Sequence, residues 1–209
     1  MDPRRYRFPL RVTRRDAQRT SLRALALPVP AGQRPPRADV ATFAATTLEL
    51  ALLGELLWAV HGADCAGTPR AASGAAAIDV RDIDVYVALA GGVYRYDPLR
   101  QRLLPVHAGD LRGLAQDAAR MPDAAPVQLV YVADLRRLDE AGAGALDALS
   151  RHGYCHVDAG LVAARVARFA ADHGLATRLH PCDNARLAQA LQLRPQQRVL
   201  LAQSLGFAA

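Results

Sequence analysis

The chain has 209 residues, of which 51% are hydrophobic and 22% charged, enough for one sizeable core and in keeping with a single domain. No apolar run reaches the roughly 18 residues that a membrane span needs. Three cysteines (Cys65, Cys155, Cys182) with no paired spacing argue against a disulfide framework and for a reducing, cytoplasmic compartment. All 26 basic residues are arginine, which excludes Schiff-base chemistry and a P-loop lysine.

The charge is uneven. Residues 1–36 hold nine arginines against Asp2 and Asp16, a net of +7, while the whole chain is +6, so the remainder is about neutral. Such a basic arm can meet RNA, DNA or an anionic membrane through phosphates. Only Tyr6 and Phe8 interleave it and no nucleic-acid motif follows, so we read it as a solvated extension and expect no nucleic-acid partner. Arg14-Arg15 precedes a short apolar piece that Arg23, Pro28 and Pro30 interrupt, too broken for a secretory core. Export by this Arg-rich start stays open as an alternative to a cytoplasmic place.

Pro28 to Pro36 is a linker by composition, and the domain is expected to start near Arg37. Thr46 or Thr47 can cap a helix that buries Leu48, Leu52, Leu53, Leu56 and Leu57 and ends near His61-Gly62. A loop of small residues follows, with Arg70 and Ser73. Ile83 to Leu89 and Val93 to Tyr96 read as strands joined at Gly91-Gly92, with Leu103 to Val106 extending the second. Asp110 is expected to cap a helix from Leu111 to about Arg120. Val127 to Ala133 reads as a strand buried on both faces, and Asp134 to Gly144 as loop. The longest helix starts at Asp147 or Cys155 and runs to His173. It carries an apolar stripe of Val162, Val166, Phe169 and Ala170 and a polar one of Asp158, Arg165, Arg168 and Asp172. Gly174 closes it. A strand at Leu175 to Leu179, a helix capped by Asp183 or Asn184 and running through Leu191, and a strand at Val199 to Gly206 complete an α+β layer arrangement with a central sheet.

Spacing alone yields little chemistry. His152, Cys155 and His156 fall within one helical turn, but no fourth ligand stands at a telling distance, and an incidental helix start is favoured over a metal site. Cys65 sits beside Asp64, which works against a reactive thiolate. Asp82 and Asp84 read as solvated strand positions. No hydrolase, P-loop or dinucleotide fingerprint is present.

Several short motifs nonetheless fall in a familiar order: Leu56-Leu57-Trp58-Ala59, Arg70-Ala71-Ala72-Ser73, Ile83 to Leu89, Gly92-Val93-Tyr94-Arg95-Tyr96-Asp97, Gly109-Asp110-Leu111-Arg112, Val130-Tyr131-Val132-Ala133-Asp134, Gly174-Leu175-Ala176-Thr177 and the closing Leu191 to Gly206. Over about residues 37–207 the chain resembles the nitroreductase superfamily, in particular the branch with azoline dehydrogenases of peptide natural products. The resemblance implies one α+β domain over residues 37–209, with a mixed or antiparallel central sheet flanked by helices. It also implies a homodimer holding FMN at each subunit interface, and hydride transfer.

The family's Arg-Arg-Ser-x-Arg pattern falls on Arg37-Ala38-Asp39-Val40-Ala41, with Phe43 matching a usual phenylalanine. Arg37 is then implied to hold the FMN phosphate or ribityl chain, and Arg70 and Ser73 the loop beneath the flavin. No catalytic residue and no metal ligand is implied. Asp39 replaces the serine, and a carboxylate about 4 Å from a phosphate repels it by several kcal/mol at an effective dielectric of about 20. Gly74 to Ala77 offer no side-chain donor where the family has Asn. Pro181 stands where a glycine N–H faces the ring, Ala164-Arg165 where the long helix has Gln-Asn, and His152-Gly153-Tyr154 where the branch has Lys-Tyr.

Two readings follow. In the first, the chain is an FMN-dependent oxidoreductase fed by NAD(P)H and acting on a small molecule or peptide. In the second, it is a flavin-free, non-catalytic or peptide-binding subunit, as a homodimer or beside a related chain. A dimer with an open inter-subunit slot beside Arg37 and Ser73 favours the first reading; a slot there filled by side chains favours the second.

Overall fold

The computed structural model describes residues 42–62, 82–116, 125–140 and 146–209. Its elements in chain order are α1 (Leu50–Leu57), a π-helical turn (Trp58–Gly62), β1 (Ile83–Leu89), β2 (Gly92–Asp97), β3 (Arg102–Ala108), α2 (Arg112–Ala115), β4 (Val127–Asp134), α3 (Leu135–Glu140), α4 (Ala148–Asp172), β5 (Ala176–His180), α5 (Asn184–Ala190) and β6 (Gln197–Gly206). Six strands form one sheet in the order β3-β2-β1-β4-β6-β5, antiparallel at every pairing. The expected mixed or antiparallel sheet is thus antiparallel, within the expected α+β architecture.

β4 explains its own sequence. It lies between β1 and β6, and all eight of its positions are buried. Leu129, Tyr131 and Ala133 face the core formed with α1 and α4, while Val130 and Val132 face the one formed with α2 and α5. An apolar run normally associated with parallel strands therefore arises here because helices cover both faces of an antiparallel sheet. α4 lies over one face with Val162, Val166 and Ala170 buried, is capped by the Asp147 carboxylate accepting from Ser150 N–H (2.9 Å), and ends at Gly174 in the left-handed region (φ +67°). The apolar stripe and Asp147 start agree with the reading above. Asp183 caps α5, accepting from Arg186 N–H at 3.1 Å.

Four readings need correcting. The first helix begins later than Thr46 or Thr47 would allow: Glu49 holds its cap position without a side-chain bond, and the last turn widens to π geometry. Leu103 to Val106 do not extend β2; the chain turns at Pro98–Gln101, with Gln101 at φ +49°, and returns as β3. α2 spans four residues: Leu111, not Asp110, holds its cap position, and the backbone turns extended at Gln116 (φ −102°, ψ 147°). The segment after Asp134 is helix, not loop: Leu138 is fully buried, and Arg137 turns back onto Asp84.

Asp84 and Asp82 are accordingly buried, not solvated. Arg137 Nη2 donates to both Asp84 oxygens (2.9 and 3.1 Å), and its Nε lies 3.9 Å from Asp134 Oδ2, which also accepts from Arg194 Nη2 at 2.8 Å. No helix among the described residues is long and apolar enough to cross a membrane.

Candidate functional site

A groove of about 870 Å³ runs between α4 and the β5 edge of the sheet. It exists because α4 presents almost no side chain there: Gly160, Ala163, Ala164, Ala167 and Ala171 form one wall. Thr177 and Leu179 of β5 form the other, and Gln203 and Ala208 lie at the floor and end. Arg168 at the rim pairs with Asp172 (Nε to Oδ2, 3.3 Å) on the exposed side. The volume is that of a small-molecule or cofactor pocket, with mainly apolar walls and few polar groups.

Three sets of contacts tie α4, β5 and the segment after β6 to neighbouring backbone. At the groove's end, Phe43 bridges Ala208, Ala44 N–H donates to Phe207 O (2.9 Å) and Ala209 N–H to Thr42 O (3.3 Å). Beside Ala164, the Arg165 guanidinium donates from Nη1 to Val60 O in the π turn at 3.0 Å. Past Leu179, His180 is buried, its Nδ1 3.0 Å from Pro181 O and its Nε2 2.8 Å from Ser204 Oγ, which lies 3.0 Å from the Gln128 side-chain amide. A carbonyl only accepts, so Nδ1 carries the proton of its bond to Pro181 and holds that turn.

Arg37, Arg70, Ser73 and Cys65 lie outside the described residues. Among the described residues, Ala164 and Leu179 line the groove and Phe43 bridges Ala208, which also lines it, whereas Arg165 turns to Val60 O. The structure disperses the His152, Cys155 and His156 group: Cys155 is buried, while both imidazoles are exposed and bound through Nδ1 to the carbonyls of Ala148 and His152. No group of three metal-ligating side chains occurs among the described residues.

Cys155 belongs instead to a buried acidic cluster that sequence reading missed, with Asp82 before β1 and Asp158 of α4. Asp158 is thus not part of a solvated stripe. Burial pushes the Asp82 carboxyl up to about 6; a bond from the Cys155 thiol opposes this, and the neighbouring Asp158 charge adds to it. Burial, then Asp82, pushes the Cys155 thiol up to about 12, so it is no nucleophile at neutral pH. A carboxyl raised in the folded state stabilises fully below its unfolded value of 3.8, and that stabilisation is lost as pH rises through about 6. Asp82→Asn is therefore expected to raise stability at pH 7 by up to about 3 kcal/mol. It should also flatten the stability change between pH 4 and 7, read by urea unfolding across that range.

The fold and groove define an α+β domain whose longest helix and sheet edge frame a ligand-sized slot. No protein-family model and no curated protein matches the sequence. Among solved structures, the chain is similar to a protein of Ralstonia eutropha JMP134 assigned as a nitroreductase, with 31% identity over 88% of each chain and a TM-score of 0.68. A chain of the E. coli microcin synthetase McbBCD complex, with truncated pro-MccB17 bound, shares the fold at 16% identity, over 91% of this chain and 77% of that one (TM-score 0.68). Nitroreductase A of Vibrio parahaemolyticus RIMD 2210633 shares it at 16% identity, over 81% and 63% (TM-score 0.55). The chain belongs to the nitroreductase family.

Proposed function

We propose that this chain is an FMN-dependent oxidoreductase that binds its flavin in the α4–β5 groove. The observation that carries the reading is the groove itself, open and walled by glycine and alanine. Thr42 O accepts from Ala209 N–H beside Ala208, which lines the groove. The groove is open, and its small residues leave room for a flat ring system.

The described residues fit the apolar part of FMN: Ala164, Ala167 and Leu179 can flank it and exclude water. Of the polar part they supply only Thr177, Gln203 and the rim guanidinium of Arg168. Arg37, Arg70 and Ser73, with an arginine from a second subunit, would complete the phosphate and ring contacts in a homodimer or in a heterodimer with a related chain. Bound FMN supplies hydride transfer, with NAD(P)H and a small molecule or peptide as reactants.

A second reading, a flavin-free partner or peptide-binding subunit, is favoured by Pro181, which has no N–H to offer a ring edge. Likeness to a chain of a synthetase complex holding truncated pro-MccB17 also favours it. The visible absorption spectrum with FMN titrated in separates the two. Stoichiometric yellow protein is expected; a colourless chain that ignores excess FMN overturns the oxidoreductase reading.

A further inference from the structure

We propose that Gln203 determines what the groove binds: its side-chain amide is held as a hydrogen-bond donor at the groove floor and selects a flat ring with an acceptor on its edge, a carbonyl oxygen or an unprotonated ring nitrogen. The choice of FMN as that ring rests on the flavin reading above; the donor itself does not. Gln203 lies in β6, directly across from Leu129 of β4 on one side and Leu179 of β5 on the other. Directly opposite residues share a face of the sheet. An amide therefore stands in a row of leucines, only 2% exposed and lining the groove. Burying an amide is costly unless its polar atoms are paired, and a third leucine would meet the needs of packing.

The pairing fixes which way the amide faces. The Ala163 carbonyl of α4 can only accept, so the amide nitrogen faces it, Nε2 to O at 3.3 Å. Oε1 then accepts from the Tyr131 hydroxyl at 2.5 Å. Tyr131 is fully buried, and burial pushes its phenol above the ordinary tyrosine range, so the hydroxyl keeps the proton it donates. With Oε1 turned to Tyr131, the amide offers the groove its nitrogen. Nε2 carries two hydrogens, and Ala163 O takes one. The other polar groups of the groove do not duplicate this donor. Arg168 stands at the rim, paired with Asp172, and the Thr177 hydroxyl both donates and accepts, so it does not discriminate. A ring edge with C–H in place of an acceptor leaves the amide N–H unpaired, which is the source of selectivity.

The test compares the wild type with Tyr131→Phe/Gln203→Met, which removes both polar groups together, keeps their bulk and strands neither partner. Each protein is melted without ligand and titrated with FMN, quinoline and naphthalene. The last two are flat bicycles of one size that differ by a ring nitrogen, unprotonated in neutral buffer. The double variant is expected to bind FMN and quinoline about tenfold more weakly and naphthalene as the wild type does, with a melting midpoint near that of the wild type. Gln203→Met alone, which strands the Tyr131 hydroxyl, should melt below the double variant. In the wild type, the NMR signals of the Gln203 side-chain amide should move on adding quinoline and stay on adding naphthalene, a reading that needs no variant to fold. Equal losses for the two bicycles, unchanged quinoline affinity, an unmoved amide signal or a wild type that binds neither bicycle each overturn the proposal. FMN held as tightly by the double variant as by the wild type overturns the pairing of Gln203 with the flavin edge. A wild type that shows the quinoline preference but takes no FMN overturns the flavin reading and leaves the donor standing.

Discussion

Replacing Arg137 with alanine is expected to destabilise the fold by about 3 kcal/mol, the largest single loss short of gutting the core. Asp84 and Asp134 show side-chain exposures of only 10% and 2%, and both face the Arg137 guanidinium. Removing the cation leaves Asp84 buried without the charge that compensates its lost hydration. Asp134 fares better, because Arg194 still reaches it at 2.8 Å. That difference predicts an order: Arg137→Ala costs more than Arg194→Ala, since the Arg194 side chain is already 53% exposed. Removing both charges together, as in Asp84→Leu with Arg137→Met, should recover most of the loss, since a buried pair is costly to break but cheap to replace with apolar groups. Urea unfolding of the four proteins measures this. Equal losses for Arg137→Ala and Arg194→Ala would show that the Asp84 pair is not what holds α3 to the sheet.

The same network shows where sequence reading succeeds and where it stops. β4 was legible because the nearly continuous apolar run Val127 to Ala133 needed no partner information: a strand that apolar has to be covered on both sides. α4 was legible from its stripe and the Asp147 cap. α3 was not, because Leu135-Arg136-Arg137-Leu138-Asp139-Glu140 has too few apolar positions to show a helical face. It is held by contacts distant in sequence, Leu135 N–H to Gln196 O (3.0 Å) and Arg137 to Asp84. Asp82 and Asp84 were misread for the same reason: alternation places a carboxylate on or beside a strand but says nothing of a guanidinium reaching Asp84 from 53 residues later, or of Cys155 and Asp158 meeting Asp82. The π turn has no sequence signal, since it arises where α1 ends against α4 and the hairpin. The groove was hidden in a different way. Its wall is made of alanine and glycine, which composition presents as filler, whereas in the folded chain their missing side chains are the feature. Family resemblance pointed to Ala164 and Pro181 as departures from a pattern; the structure places Ala164 in the slot and Pro181 just past Leu179.

If that slot takes FMN, filling it should abolish binding and leave the fold alone. Ala164→Trp is expected to weaken FMN binding at least about a hundredfold, because the indole occupies the space that the ring system requires. Ala164 is exposed on α4, and the groove beside it is open, so the larger side chain meets no packed core. The folding cost is then limited to helix propensity, about 0.5 kcal/mol, and the flavin-free melting midpoint should move by only about 1–2 °C. Ala164→Ser, which keeps the volume nearly unchanged, should bind as the wild type does. A flavin titration with a parallel melt separates the outcomes. Unchanged FMN affinity in a folded Ala164→Trp protein would place the flavin elsewhere, whereas loss in both variants would mean that the helix face tolerates no change. Loss confined to tryptophan would assign the groove by volume alone, independently of Arg37, Arg70 and Ser73.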